Sequence, residues 1–230
     1  HIGDRRQRQM CIRDRVRIDK HIPFEHAALF GCGVVTGVGA VINTASAREE
    51  DSIAIVGLGG VGLSALLASI AIGSKKTIAI DLSNEKLNLA HELGADHILN
   101  PNDANFLERI RDLTSGGANI AIETAGSGRA LKTAYDITRR GGTTVAAGMP
   151  GPKVDITLSH LSIAAEERII KGSYMGSCIA HRDIPKYLDM FQTGKLPVDR
   201  LLSRKITFED LNAAMDRLDD AKTVREVLIP

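Results

Sequence analysis

Four glycines within six residues, Gly57-Leu-Gly59-Gly60-Val-Gly62, separate a β-branched apolar run, Ser52-Ile-Ala-Ile-Val56, from a stretch with an apolar helical face, Leu63 to Ile70. No other feature constrains the chain as much, because strand, tight turn and helix must follow one another within about twenty residues. Gly57 is expected to make the turn, Gly59 to let backbone N–H groups approach a pyrophosphate, and Gly62 to let the helix pack on the strand. Leu58, Gly60 and Val61 complete a loop whose helix N-terminus favours phosphate charge. A second apolar run, Thr77-Ile-Ala-Ile80, ends in Asp81, 19 positions past the last glycine. An acid there would accept hydrogen bonds from ribose hydroxyls and repel a 2′-phosphate, which favours NAD over NADP. The alternative makes the glycines close-packing residues and Asp81 the cap of a helix beginning near Asn84.

From Ser52 to Ser74 the chain carries 23 residues without a charge, long enough to cross a bilayer at about 1.5 Å per residue. The glycines crowd into the first half of that stretch and argue for strand, turn and helix instead of a membrane span. Alternation continues downstream. Helices are expected over Glu85–Leu93, Asp103–Leu113 and Arg129–Thr138, and strands over His97–Leu99, Asn119–Glu123, Thr143–Ala147 and Arg168–Gly172. Six strands joined by helical crossovers predict an α/β chain built on a doubly wound, six-stranded parallel sheet of the Rossmann type. Ligands in such sheets lie at the carboxyl ends of the strands, so Glu123-Thr-Ala-Gly126 and Ala147-Gly-Met149 are expected to face a cofactor. Ordinary strand-to-helix turns are the alternative for both loops.

Composition narrows the function. Hydrophobic residues at 43% and charged residues at 25% describe a globular chain, while aromatics at 3% with no tryptophan leave almost nothing for a base-stacking platform. Nucleic acid is therefore not expected as a partner. The net charge of +1 conceals an asymmetry, since residues 1–20 hold six Arg and one Lys against three Asp and the remainder is mildly acidic. Residues 1–15, HIGDRRQRQMCIRDR, show neither apolar periodicity nor a secretory apolar core, and the run QMCIRDR within them resembles translated adapter sequence. They are expected to be a non-native segment, with a basic nucleic-acid-binding arm as the alternative. Cys11, Cys32 and Cys178 form no C-x-x-C pair and no even framework, which points to a reducing compartment and a cytoplasmic protein.

A lone cysteine such as Cys32 is more often a small buried residue than a ligand. No second His, Cys or acid stands near it at ligand spacing, and the seven histidines form no H-x-x-H pair, so no complete metal site is expected in this chain. Thr36 follows Cys32 by four residues and shares a face with the thiol if the segment is helical.

Leu29-Phe-Gly-Cys-Gly-Val-Val-Thr-Gly-Val-Gly-Ala40, Val56-Gly-Leu-Gly-Gly-Val-Gly62 and Ile80-Asp-Leu-Ser-Asn-Glu-Lys-Leu87 together resemble the zinc-dependent medium-chain alcohol dehydrogenase family, in its C-terminal part and over about Val16 to Pro230. The resemblance implies NAD-dependent, zinc-assisted, reversible hydride transfer between a small-molecule alcohol and an aldehyde or ketone in a full-length parent. It implies that Cys32 is the last protein ligand of a catalytic zinc, that Thr36 touches the nicotinamide ring, and that Lys86 joins Asp81 and Leu82 at the adenosine ribose. Arg225 would reach the pyrophosphate, and Thr124, Ala147, Gly148 and Met149 with Ser173, Tyr174 and Met175 would line the nicotinamide half. Residues 16–35 would end a catalytic domain, 36–176 would bind NAD, and 177–230 would return to the catalytic domain. That return is expected as helices Asp183–Phe191 and Glu209–Leu218 with strands Arg204–Thr207 and Val224–Leu228. The family's N-terminal catalytic domain, with the other zinc ligands and the proton relay, is not in this sequence, and exposed apolar surface is expected to follow. Ile169–Met175 would join two sheets in a homodimer or tetramer, a protected edge strand being the alternative. Two further readings stay open: a zinc-free quinone or enoyl-type medium-chain reductase using NADPH, against which Asp81 argues, and a non-catalytic NAD-binding or dimerisation module.

Overall fold

Strand β1 (Ser52–Val56) is buried along its whole length. Its side chains alternate between two apolar clusters: Ile53 and Ile55 join Val38, Leu63 and Leu66, while Ala54 and Val56 join Ile78, Phe106 and Ile110. A strand covered on both faces needs no polar side, which is why it reads as an unbroken apolar run. A computed structural model describes residues 15–217 and 224–229. The expected N-terminal segment, Arg15 apart, and the end of the helix expected to reach Leu218 lie outside the described residues.

Five strands extend β1 in parallel: β2 (Lys76–Ile80), β3 (His97–Leu99), β4 (Ala118–Glu123), β5 (Thr138–Ala146) and β6 (Ile169–Gly172). Their order is β3-β2-β1-β4-β5-β6, the doubly wound sheet expected. The strand order reverses between β1 and β4, so a crevice opens at their carboxyl ends. A helix α1 (Phe24–Leu29), a second α2 (Gly33–Gly39) and a π turn (Ala40–Thr44) precede β1. The crossovers carry α3 (Gly60–Ala71), α4 (Asn84–Glu92), α5 (Phe106–Thr114), α6 (Gly128–Ile137) and α7 (His160–Ala165). After β6 come α8 (Ala180–Gln192), β7 (Leu202–Ile206), α9 (Leu211–Asp216) and β8 (Arg225–Leu228), with β7 and β8 paired in a small parallel sheet of their own.

Helix α3 is buried on all sides from Gly62 to Ser69, because it lies between the sheet and α2. A helix apolar all round is what such a position demands, and this gives the stretch the composition of a membrane span. Its buried serines are satisfied locally, Ser64 Oγ donating to Gly60 O at 2.6 Å and Ser69 Oγ to Ala65 O at 2.9 Å. Among the described residues no helix is long and apolar enough to cross a membrane.

Some boundaries differ from expectation. Strand β5 begins at Thr138 instead of Thr143, because its register against β4 jumps from Ala118–Thr138 to Ile120–Thr143. Gly141, at φ +66°, lies in that irregularity, so Arg139-Arg140-Gly141-Gly142 reads as a turn but is a bulged strand. Helix α5 starts three residues late, at Phe106, after a turn in which Phe106 N–H donates to Asp103 O at 3.1 Å. The short α7 was not expected; none of its residues is buried, so it shows no apolar period to read. Large apolar side chains stand exposed on α1 and around α9: Phe24 (89%), Phe208 (63%) and Met215 (59%).

Helices α2 and α3 meet backbone to backbone at Gly37, where a Cβ would lie 2.2 Å from Val61 O and 2.8 Å from Ala65 N. Gly37→Ala is expected to force them apart and lower the thermal midpoint by about 4–8 °C, equivalent to about 2 kcal/mol. Gly172→Ala, which meets nothing within 4 Å, is the control expected to leave it in place. Equal midpoints for the two variants would show that the helices do not depend on this contact.

Candidate functional site

The glycine turn assigns each residue a different physical task. Gly57 sits at φ +97°, a left-handed conformation that only glycine adopts without strain. A Cβ on Gly62 would lie 1.8 Å from Gly57 O and 2.7 Å from Thr124 Oγ1, so this glycine is required by packing. Thr124 Oγ1 donates to Gly57 O at 2.6 Å and ties the turn to the end of β4. Gly59 differs from both. Its φ of −77° suits any residue, and nothing lies within 4 Å of where its Cβ would be. Neither backbone nor packing requires glycine there, which leaves space for something outside the chain.

Asp81, at the end of β2, is latched to this turn. Its Oδ2 accepts Leu58 N–H at 2.7 Å and its Oδ1 accepts Ser83 N–H at 2.9 Å. The cap of α4 is Ser83, whose Oγ accepts Lys86 N–H at 3.3 Å, so the reading of Asp81 as that helix's cap does not hold. Asp81, Leu82 and Lys86 face a cavity of about 230 Å³, whose wall also includes Pro101, Arg129 and Thr133. Leu58 lends its backbone alone, since its side chain is buried.

A second cavity, of about 760 Å³, opens on the other side of the turn. It is lined by Cys32, Thr36, Val61 and Thr124 together with Ala147, Gly148, Met149, Ser173, Tyr174 and Met175. Thr36 Oγ1 donates to Cys32 O at 2.8 Å, and Cys32 stands just outside α2 as its cap, with non-helical backbone. Cys32 is exposed, not the small buried residue that a lone cysteine usually is. Among the described residues no three His, Cys, Asp or Glu side chains gather at a metal-holding distance. A zinc ion takes three or four protein ligands, so the single Cys32 thiol does not by itself fit one.

Arg225, the first residue of β8, lies across the starts of two helices. A Cβ on Gly33, the first residue of α2, would lie 2.2 Å from its Nη2, and one on Gly60, the first of α3, 2.4 Å from its Nε. Helix N-termini carry partial positive charge, and a guanidinium beside two of them concentrates more in the same place. Such a concentration is unfavourable by itself and is relieved by an anion, as at phosphate-binding helix ends.

Glu123 ends β4 and opens a loop expected to face a cofactor, yet its side chain lines neither of these two cavities. It is 2% exposed, and its Oε1 accepts Gly126 N–H at 2.6 Å. Burial raises its carboxyl above the ordinary glutamate value, opposed by N–H groups of Gly126, Ala125, Ser127 and Gly148. The carboxylate thereby joins the loops after β4 and β5 that border the larger cavity.

Two expectations test this geometry. Gly59→Ala should leave the thermal midpoint unchanged and weaken dinucleotide binding, whereas Gly62→Ala should lower the midpoint itself; the same effect from both would contradict the division of tasks. For Glu123, a folded-state value above the unfolded one means that its contribution to stability is full below about pH 4.3 and is lost as pH rises through the folded value. The midpoint of the protein minus that of Glu123→Gln is therefore expected to fall from about pH 4 to about pH 7. A rise would show that the amide donors outweigh burial.

Comparison with known proteins agrees with this architecture. The family model described as zinc-binding dehydrogenase matches residues 60–193. Geraniol dehydrogenase of Castellaniella defragrans is 33% identical over 215 residues, which are 93% of this chain and 57% of that protein. Alcohol dehydrogenase B of Mycobacterium tuberculosis is 35% identical over 218 residues, 93% of this chain and 58% of its own. The crystal structure of benzyl alcohol dehydrogenase from Acinetobacter calcoaceticus superposes with a TM-score of 0.89 at 31% identity, covering 93% of this chain and 59% of that one. The chain thus spans a little under three fifths of the length of these relatives. The family model covers more than half of its residues and the sheet and glycine turn agree with it: the chain belongs to the zinc-dependent medium-chain alcohol dehydrogenase family and corresponds to its C-terminal portion.

Proposed function

We propose that this chain is the NAD-binding part of an alcohol dehydrogenase that moves hydride reversibly between a small alcohol and its aldehyde or ketone. The observation that carries this reading is the open space at Gly59, set between the positive charge around Arg225 and the Asp81 carboxylate latched to the same turn. A dinucleotide has the matching order of groups: ribose hydroxyls that donate to an acid, then a pyrophosphate that seeks N–H groups and a guanidinium. In this reading Asp81, Leu82 and Lys86 hold the adenosine ribose, and Gly59, Gly60 and Arg225 hold the pyrophosphate. Thr36, Val61, Thr124, Ala147, Gly148, Met149 and Ser173 to Met175 enclose the nicotinamide half.

When bound, the nicotinamide supplies the hydride acceptor, and the protein's share is to fix its ring face and keep water away. The Thr36 hydroxyl has its proton engaged at Cys32 O, which leaves an oxygen lone pair to accept from the cofactor. Cys32 would supply one sulfur ligand beside that pocket to the zinc of the family; further ligands would have to come from outside the described residues. In domain terms, residues 16–35 and 177–230 would belong to the catalytic domain and 36–176 to the NAD-binding one. Exposed Ile169 (46%) and Ile170 (41%) on the edge strand β6 support pairing of two sheets in a homodimer. The scattered cysteines support a cytoplasmic setting.

Titration with NADH and NADPH by nucleotide fluorescence tests the reading. NADH is expected to bind at least about tenfold more tightly, because a 2′-phosphate would face the Asp81 carboxylate. Asp81→Asn removes that repulsion and should bring the two affinities together. Equal affinities in the unaltered protein would remove the argument for NAD, and binding of neither would remove the dinucleotide reading.

A further inference from the structure

The wall of the larger cavity contributed by Ser173 to Ser177 is a strained loop. Met175, Gly176 and Ser177 are consecutive left-handed residues, at φ +48°, +66° and +48°, and two of the three carry side chains. Conformations of this kind persist only where the surroundings over-determine them. Part of that determination is steric, since a Cβ on Gly176 would lie 2.2 Å from Val35 O and one on Gly39 would lie 2.2 Å from Gly176 O. Two adjacent side chains of the π turn add hydrogen bonds to it.

That turn closes with Ala45 N–H donating to Ala40 O at 2.9 Å, five residues back. The extra residue in a π turn re-aims the side chains around it, and such turns concentrate at functional sites. Here Asn43 and Thr44, neighbours in sequence, both address the loop. Thr44 Oγ1 lies 2.8 Å from Ser173 Oγ and 2.9 Å from Ser177 Oγ, gripping the loop at both ends. Asn43 Nδ2 donates to Gly176 O at 3.2 Å, gripping it in the middle. The same nitrogen has Tyr187 Oη at 3.0 Å and Asp183 Oδ2, an acceptor only, at 3.2 Å, so its two N–H bonds are shared among three acceptors. Asp183 is buried and held in turn by Arg182 Nε and Nη2 at 2.6 and 2.9 Å and by Ile179 N–H at 2.7 Å.

Neither Asn43 nor Thr44 lines either cavity. We propose that they are positioning residues, a clip that keeps the 173–177 loop in the strained shape that receives the nicotinamide half of the dinucleotide while leaving the adenosine half unaffected. The proposal rests on the dinucleotide reading above, and a ligand lacking nicotinamide separates the two.

The test is calorimetric titration of the chain with NADH and with ADP-ribose, which carries the adenosine, the pyrophosphate and the second ribose but no nicotinamide ring. Thr44→Val keeps the shape and removes the hydroxyl, leaving the Ser173 and Ser177 hydroxyls without their partner. It is expected to weaken NADH about fivefold or more and leave ADP-ribose unchanged, with Thr44→Ser restoring NADH binding. Loss for both ligands alike, loss for neither, or no rescue by serine would overturn the clip; failure of the unaltered chain to bind ADP-ribose would overturn the dinucleotide reading instead. Hydrogen exchange without ligand reads the loop directly. Thr44→Val should speed exchange at Ser177 and Cys178, whose N–H groups donate to Tyr174 O and Met175 O at 2.9 and 3.2 Å, without changing that of β1. Unchanged exchange at those two amides would also overturn the clip.

Discussion

The carbonyl oxygen of Gly57 occupies the space that a side chain on residue 62 would need, and from that contact much of the molecule's arrangement follows. It lets the first turn of α3 press onto the end of β1, so that the helix lies flat against the sheet and buries a full circumference of small and aliphatic side chains. Pressed that close, α3 accepts α2 across its other side at Gly37, again backbone to backbone. The crossing brings Cys32 and Thr36, on a segment that precedes the sheet, to a cavity otherwise lined by Val61 of α3 and by the ends of β4, β5 and β6 with the loops that follow them. The starts of both helices then stand side by side, and the Arg225 guanidinium rests across Gly33 and Gly60 where any Cβ would collide with it.

Three acids take up the N–H groups that this loop-rich end of the sheet would otherwise leave without partners. Asp81 receives Leu58 and Ser83, Glu123 receives Gly126, and Asp183 receives Ile179. Their surroundings separate their uses. Asp81 remains partly open on a cavity and can accept from a ligand as well; Glu123 is sealed and its carboxyl is raised by burial; Asp183 is buried beside the Arg182 guanidinium, which holds it below the usual carboxylate range. The same guanidinium and carboxylate bear on Cys178, whose thiol burial and Asp183 push up to about 11, so that it stays protonated and inert. Cys32, by contrast, is exposed and lines the larger cavity.

Legibility in the sequence followed the range of the interaction. The strand before the glycines, the turn, the helix after it and Asp81 lie within thirty residues and obey local periodicity, so they could be read residue by residue. Strand β5 was misread at its start because a bulge and a turn share the same glycines, and only pairing with β4 tells them apart. Nothing local marks Asn43: its significance lies in acceptors at Gly176 and Asp183, 133 and 140 positions away. Arg225 could be attached to the site by resemblance to a family, but no spacing rule links it to Gly60.

The amino-acid sequence by itself determined the α/β alternation, the six parallel strands and the position of the glycine turn, because these depend on side-chain periodicity and on where the backbone must go without a Cβ. Only the tertiary structure decided what each glycine is for, since a conformational need at Gly57, a packing need at Gly62 and an empty space at Gly59 look identical in the sequence. It also decided which polar side chains act together, because hydrogen bonds are local in space and not along the chain.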